Sequence, residues 1–159
     1  MELSMGEGTV VSIHIAEAAG GMVKGLESVR AVPGQGLEGD RYFAHSGTYS
    51  DTPGSGRDLT LIESEQIEGI EREYSIKIGP GESRRNLTTR GISLNELVDK
   101  EFKVGEVVVR GTRLCEPCAY MADLIGERGA LKALVHRGGL RCDIVTEGTI
   151  NVGDSISFA

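Results

Sequence analysis

The segment Arg113-Leu114-Cys115-Glu116-Pro117-Cys118 sets two thiols three positions apart, just before apolar residues spaced i, i+3, i+4 at Met121, Leu124 and Ile125. That spacing predicts a short helix with Cys118 in its first turn. Unpaired N–H groups and the helix dipole favour negative charge there, which lowers a thiol's pKa and populates the thiolate. The thiolate is the form that attacks sulfur or binds metal, so Cys118 is the candidate nucleophile and the candidate metal ligand. Cys142 reads as a core residue, because Leu140-Arg141-Cys142-Asp143-Ile144 alternates and puts it on the apolar face of a strand. Cys115 stays open between a resolving thiol for Cys118, a packing residue and one arm of a metal site.

Two basic clusters offer forked donors suited to phosphate or carboxylate. The first is Glu82-Ser83-Arg84-Arg85-Asn86, set among glycines; the second is His136-Arg137-Gly138-Gly139-Leu140-Arg141, with two flexible backbone positions. The chain carries 17 Lys and Arg against 24 Asp and Glu, a net charge of −7. An acidic protein that holds an anion must concentrate its few cations, so Arg84, Arg85 and Arg141 are expected in one pocket with Cys118. The same charge argues against a nonspecific grip on nucleic acid or an anionic membrane.

Rival readings of these motifs have weaker support. Cys-x-Pro-Cys leading into a helix looks like a thioredoxin redox motif, but that motif follows an early strand of an alternating β/α chain. Zinc held by Cys115, Cys118, His136 and Cys142 would rest on a single Cys-x2-Cys pair. Gly36-Leu37-Glu38-Gly39-Asp40-Arg41 has no helix pattern after it, so it reads as a turn with positional Asp40 and Arg41 and not as a dinucleotide loop. His45 carries no signal, and His14 falls on the polar side of its strand, where exposure is expected.

The elements that must position these groups are mostly strands. Thr9 to Ile15 alternates, with Val11, Ile13 and Ile15 expected on one face; Leu26 to Val32 reads as a second strand and Pro33-Gly34-Gln35-Gly36 as a turn. Arg41 to Gly56 has the composition of a long surface loop. Leu59 to Ile62 reads as a strand, and Ser64 to Tyr74 as an amphipathic helix with Ile67, Ile70 and Tyr74 facing inward. Glu101 to Arg110 and Ile150 to Phe158 each enclose a Val-Gly-acid step, read as a strand-bend-strand device. A further short helix is expected at Leu131, Leu134 and Val135. With 23 glycines and only seven Phe and Tyr, the pattern predicts a single domain over residues 1–159. It is mainly β, a closed or nearly closed antiparallel β-barrel with a few short peripheral helices. An odd number of cysteines, an acidic N-terminus and no long apolar stretch point to a cytoplasmic chain.

Six segments in order resemble MOSC domains, the module named for the C-terminal part of molybdenum cofactor sulfurases. They are Gly36 to Arg41, Arg57-Asp58-Leu59-Thr60-Leu61-Ile62, Glu82 to Leu87, Cys115 to Cys118, Arg137 to Arg141 and Ile150 to Asp154. Cys118 matches the family's key cysteine. The resemblance implies a β-barrel-like fold and binding of the molybdenum cofactor, a molybdopterin, with Cys118 as molybdenum ligand or persulfide carrier. It implies Arg57, Arg84, Arg85, Asn86, His136, Arg137 and Arg141 as cofactor-binding residues. Larger members reduce N-hydroxylated compounds. This chain contains no desulfurase domain and no ferredoxin-like cysteine set. The implied partners are therefore a pyridoxal phosphate-dependent cysteine desulfurase or other sulfur donor, and an electron-transfer protein or molybdoenzyme. The alternative is a metal-free sulfur-relay or interaction module.

If Cys118 starts a helix, it is the thiol that reacts first. Alkylation at mildly acidic pH, mapped by mass spectrometry, is expected to label Cys118 ahead of Cys115 and Cys142; preferential labelling of Cys142 would contradict its core assignment.

Overall fold

The structure, a computed structural model, describes residues 8–16, 23–40, 58–77, 85–115 and 138–158. The expected loop from Arg41 to Gly56 and both short late helices lie outside these residues.

Eleven strands and one α-helix are named among them: β1 (Gly8–Ala16), β2 (Val23–Leu26), β3 (Ser28–Val32), β4 (Gly36–Leu37), β5 (Leu59–Glu63), α1 (Ser64–Tyr74), β6 (Leu87–Arg90), β7 (Glu101–Val104), β8 (Val107–Leu114), β9 (Leu140–Ile144), β10 (Gly148–Asn151) and β11 (Ser155–Phe158). A 3-10 turn, Leu94–Leu97, follows β6. Strands run in the order β11-β7-β8-β9-β5-β6-β1-β2, and a further pairing of β11 with β1 closes seven of them into a barrel. β10, β3 and β4 form a separate three-stranded sheet.

The barrel is closed, as the glycine-punctuated strands predict, but it is mixed and not purely antiparallel. β5 and β6 run parallel, with Leu61 opposite Leu87 and Glu63 opposite Thr89. A parallel neighbour cannot be reached by a tight turn and needs a crossover of a dozen residues or more. The helix legible in the sequence supplies it: α1 leaves the end of β5 and the chain returns to start β6 beside it. Ile70 anchors the helix at full burial, whereas Tyr74 is 45% exposed and does not face inward as expected. Beyond it the helix ends in a left-handed cap at Ser75, whose N–H donates to the Glu71 carbonyl, and the following Ile76 is buried.

Two further expectations fail in β1. In β1 the register against β6 shifts between Val10 and Ser12. This bulge moves Val10 into the core with Ile13 and Ile15 and leaves Val11 43% exposed. The later half of β1 is buried on both faces, so His14 is buried and not exposed as alternation suggested. Its Nε2 lies 2.9 Å from the Ser12 hydroxyl, and burial holds its pKa below the ordinary histidine value. The segment read as one strand from Leu26 to Val32 divides at Glu27, with β2 joining β1 and β3 joining β10 and β4.

The two Val-Gly-acid steps are both turns but join different things. Gly105 closes a hairpin between paired strands β7 and β8, whereas Gly153 hands the chain from the small sheet to the barrel. The turns meet where the Gly105 N–H donates to the Ser155 carbonyl at 2.9 Å. The core they enclose is aliphatic, with Phe102, Leu61, Leu87, Leu140, Val109 and Ile156 fully buried. Asp40 takes the positional role expected of it: 2% exposed, its Oδ1 accepts the Ala16 N–H at the end of β1.

Asp58 joins the small sheet to the barrel. Its Oδ2 accepts the Gly34 N–H at 3.1 Å and the Ile144 N–H at 2.9 Å. Desolvation, with Asp143 nearby, nonetheless raises its pKa above the ordinary carboxylate value, against the lowering effect of those two donors. The folded chain thus binds this proton more tightly than the unfolded chain, so the stability this group contributes at low pH is lost as pH rises through the folded pKa. Asp58→Asn keeps an acceptor for both donors without the charge. Its melting temperature is expected to exceed the wild type's at pH 7, with the gap closing as the pH is lowered through the raised pKa of the Asp58 carboxyl.

Candidate functional site

Of the residues singled out for chemistry, Cys118, Arg57, Arg84, His136 and Arg137 lie outside the described residues; Arg85, Asn86, Arg141, Cys115 and Cys142 lie within them. Cys142 occupies the core position its alternation predicts, at 0% exposure on β9 between Leu140 and Ile144. Burial pushes its thiol well above the ordinary range, and Asp143 and Cys115 add to the rise. A thiol held neutral in this way is a poor nucleophile. Cys115, just past the end of β8, is equally buried, and its N–H donates to the Gly139 carbonyl at 2.7 Å.

Arg85 and Asn86 precede β6 and are both buried, at 8% and 7% exposure. The Asn86 amide is a cross-strand tie. Its Nδ2 donates to the His14 carbonyl of β1 at 3.1 Å, while its Oδ1 accepts the Thr60 N–H of β5 at 3.0 Å and the Thr60 hydroxyl at 3.2 Å. Its backbone bonds the same two residues with the roles exchanged, donating to the Thr60 carbonyl and accepting the His14 N–H. Sequence reasoning set Asn86 beside an anion; the fold gives its amide to the wall of the barrel.

The Arg85 guanidinium donates from Nε to the Gly138 carbonyl at 2.7 Å and from Nη2 to the Cys115 carbonyl at 3.3 Å. Arg85, Cys115 and Gly138, far apart in sequence, therefore meet at one guanidinium. The approach is close enough that a Cβ on Gly138 would stand 2.0 Å from the Cys115 carbonyl oxygen, and one on Gly139, whose φ is +103°, 1.8 Å from that of Leu61. Read from sequence as flexible positions, these two glycines provide space for backbone contact.

Arg141 alternates to the opposite face of β9 from Leu140 and Cys142 and is partly exposed. Its cross-strand neighbours are Thr60 on β5 and Arg113 on β8. Sequence reasoning did not single out Arg113, because only the β8–β9 register, with its irregularity between Gly111 and Arg113, sets the two arginines opposite each other. Among the described residues no group of three or more His, Cys, Asp or Glu side chains could hold a metal ion.

The family model of the MOSC domain matches residues 45–157, which include the Cys115–Cys118 pair, both basic clusters and every barrel strand except β1 and β11's final residue. The chain belongs to the MOSC domain family. Solved structures carry the same fold. The YuaD protein of Bacillus subtilis superposes with a TM-score of 0.78 at 15% identity, covering 96% of this chain and 97% of that one. YiiM of Geobacillus stearothermophilus gives 0.74 at 16% identity, over 96% of this chain and 75% of that one. YiiM of Escherichia coli gives 0.65 at 15% identity, over 94% and 70%. No curated protein matches the sequence. Among the described residues of this MOSC domain no helix is long and apolar enough to cross a membrane.

The Asn86 tie makes a quantitative prediction for the MOSC barrel. Asn86→Ala strands the His14 carbonyl and the Thr60 N–H in a buried wall, and the expected loss is on the order of 2 to 4 kcal/mol in urea unfolding. Asn86→Asp, nearly isosteric, keeps the acceptor for Thr60 but faces the His14 carbonyl with a second acceptor, so it is expected to fall short of wild type at neutral pH.

Proposed function

We propose that this MOSC domain binds the molybdenum cofactor or a related pterin, with Cys118 as molybdenum ligand or persulfide carrier. The observation that carries the reading is the meeting at Arg85 of the chain segments that lead to Arg84, to Cys118 and to His136 and Arg137. An acidic protein that takes an anionic cofactor has to gather its basic segments in this way.

The donor set fits that group. Cys118 offers the soft thiolate that molybdenum or sulfane sulfur takes, and Arg57, Arg84, Arg137 and His136 offer the donors that a phosphate and a pterin ring require. Arg141, with Arg113 opposite it, adds cationic charge on the outer face of β9. Arg85 contributes its charge from a buried position, its Nε and Nη2 turned to backbone carbonyls. When bound, the molybdenum centre supplies the redox chemistry that larger family members direct at N-hydroxylated compounds. The chain's own residues hold the anion, keep one thiol ionised and bury the other two. Sulfur or electrons come from a separate protein, a cysteine desulfurase or an electron-transfer protein, in the cytoplasm.

The test is elemental analysis of the protein produced with molybdate and an intact cofactor pathway. Near-stoichiometric molybdenum, lost in Cys118→Ser, is the result expected for a ligand. Pterin without dependence of metal on Cys118, together with a persulfide on that residue, selects the carrier. Neither metal nor pterin leaves the metal-free relay or interaction module.

A further inference from the structure

β10 is an outer strand of the three-stranded sheet, with β3 on one side of it. The Val152 N–H donates to the Glu27 carbonyl on the β3 side, so by alternation Thr149 and Asn151 turn their backbone groups to the open side. Three of the four groups they turn there are already taken. The Thr149 N–H donates to Glu106 Oε2 at 2.8 Å, the Asn151 N–H donates to Asp154 Oδ2 at 2.8 Å, and the Asn151 carbonyl accepts the Asp154 N–H at 3.0 Å. We infer that Glu106 and Asp154 close this strand edge against the addition of a strand from a second copy of the chain. The inference stands apart from the cofactor reading and gives the two Val-Gly-acid steps a shared duty.

The two acids come from different turns and converge on one strand. A glycine makes room for each carboxylate: a Cβ on Gly148 would stand 2.8 Å from Glu106 Oε2, and one on Gly105 would collide with Asp154 Oδ2. Both bonds lie at the surface, beside an open cleft of about 440 Å³ lined by Gly105, Glu106, Thr149, Asn151, Asp154 and Ser155. An incoming strand can therefore reach this edge. A strand edge with free N–H and C=O groups is a template for pairing with another chain. The second copy is the matching occupant, because two β10 edges set antiparallel about a two-fold axis offer each other the same donors and acceptors. The carboxylates oppose that pairing in two ways. They hold the donors that the ladder needs, and pairing would bring the carboxylates of both copies together in one interface, where like charges repel.

The experiment uses the full chain as wild type, as Glu106→Ala/Asp154→Ala, as Gly148→Ala and as Glu96→Ala/Glu101→Ala, a control that removes the same charge from exposed positions elsewhere. The readouts are hydrogen exchange of the Thr149 and Asn151 amides by NMR at low concentration, sedimentation velocity over a concentration series, and intermolecular NOEs in a mixture of labelled and unlabelled protein. In the wild type both amides are protected and no intermolecular NOE involves β10. In Glu106→Ala/Asp154→Ala both amides are expected to exchange roughly tenfold faster, the effect of losing a bond to a charged acceptor at the surface. The sedimentation coefficient then rises with concentration, and the NOEs join β10 of one copy to β10 of the other. If this variant fails to fold, Gly148→Ala decides alone, since it pushes the Glu106 carboxylate aside and keeps every charge. Faster Thr149 exchange with β10 contacts between copies then supports the closure, and their absence overturns it. Wild-type amides that exchange as fast as those of an unfolded peptide show that the carboxylates do not hold the edge. A folded Glu106→Ala/Asp154→Ala that stays monomeric, or that associates through another surface, overturns the inference. Equal association of Glu96→Ala/Glu101→Ala overturns it too, because net charge and not the edge would then be what keeps the copies apart.

Discussion

The side-chain amide of Asn86 bridges two barrel strands at the point where the wall changes from antiparallel to parallel, and the closed barrel depends on that bridge. At the start of the β5–β6 pairing the Asn86 side chain takes the His14 carbonyl and the Thr60 N–H, while its backbone takes the His14 N–H and the Thr60 carbonyl. Asparagine carries one donor and one acceptor on a short planar group, which matches the two orphaned backbone groups with one of each. A barrel has no free edge to absorb a mismatch, so a gap in one pairing would propagate around the ring.

The neighbouring residue makes the same kind of bond for a different purpose. Arg85 and Asn86 are consecutive, and consecutive side chains in extended backbone point to different sides. Asn86 ties β1 to β5, while Arg85 ties the end of β8 to the entry of β9. Rigid strand and candidate site are thereby joined through a single peptide unit.

Burial decides what Cys142 can do in this fold. Cys115 and Cys142 are both buried, Cys142 in the barrel core, and the neutral state enforced on Cys142 keeps it out of thiolate chemistry. Cys118, the candidate that the sequence puts forward for reaction, lies outside the described residues. Arg85 turns the carbonyl of Cys115 to account without calling on its sulfur.

The amino-acid sequence by itself determined the local facing of most elements. It set the helix at Ser64 to Tyr74, the inward alternation of Leu140, Cys142 and Ile144, the positional Asp40 and the mainly β character, because periodicity and turn chemistry act between residues close in the chain. The order of motifs likewise carried the family resemblance. Tertiary structure alone decided the bulge that turns Val11 outward, the burial of His14, the parallel β5–β6 pair, the place of Arg113 opposite Arg141 and the occupations of Arg85 and Asn86. Each of these depends on which strand lies next to which and in what register. A carbonyl that needs a donor 53 residues away, as Gly138 needs Arg85, leaves no trace in local pattern, since its demand arises only when closure of the barrel has removed water from it.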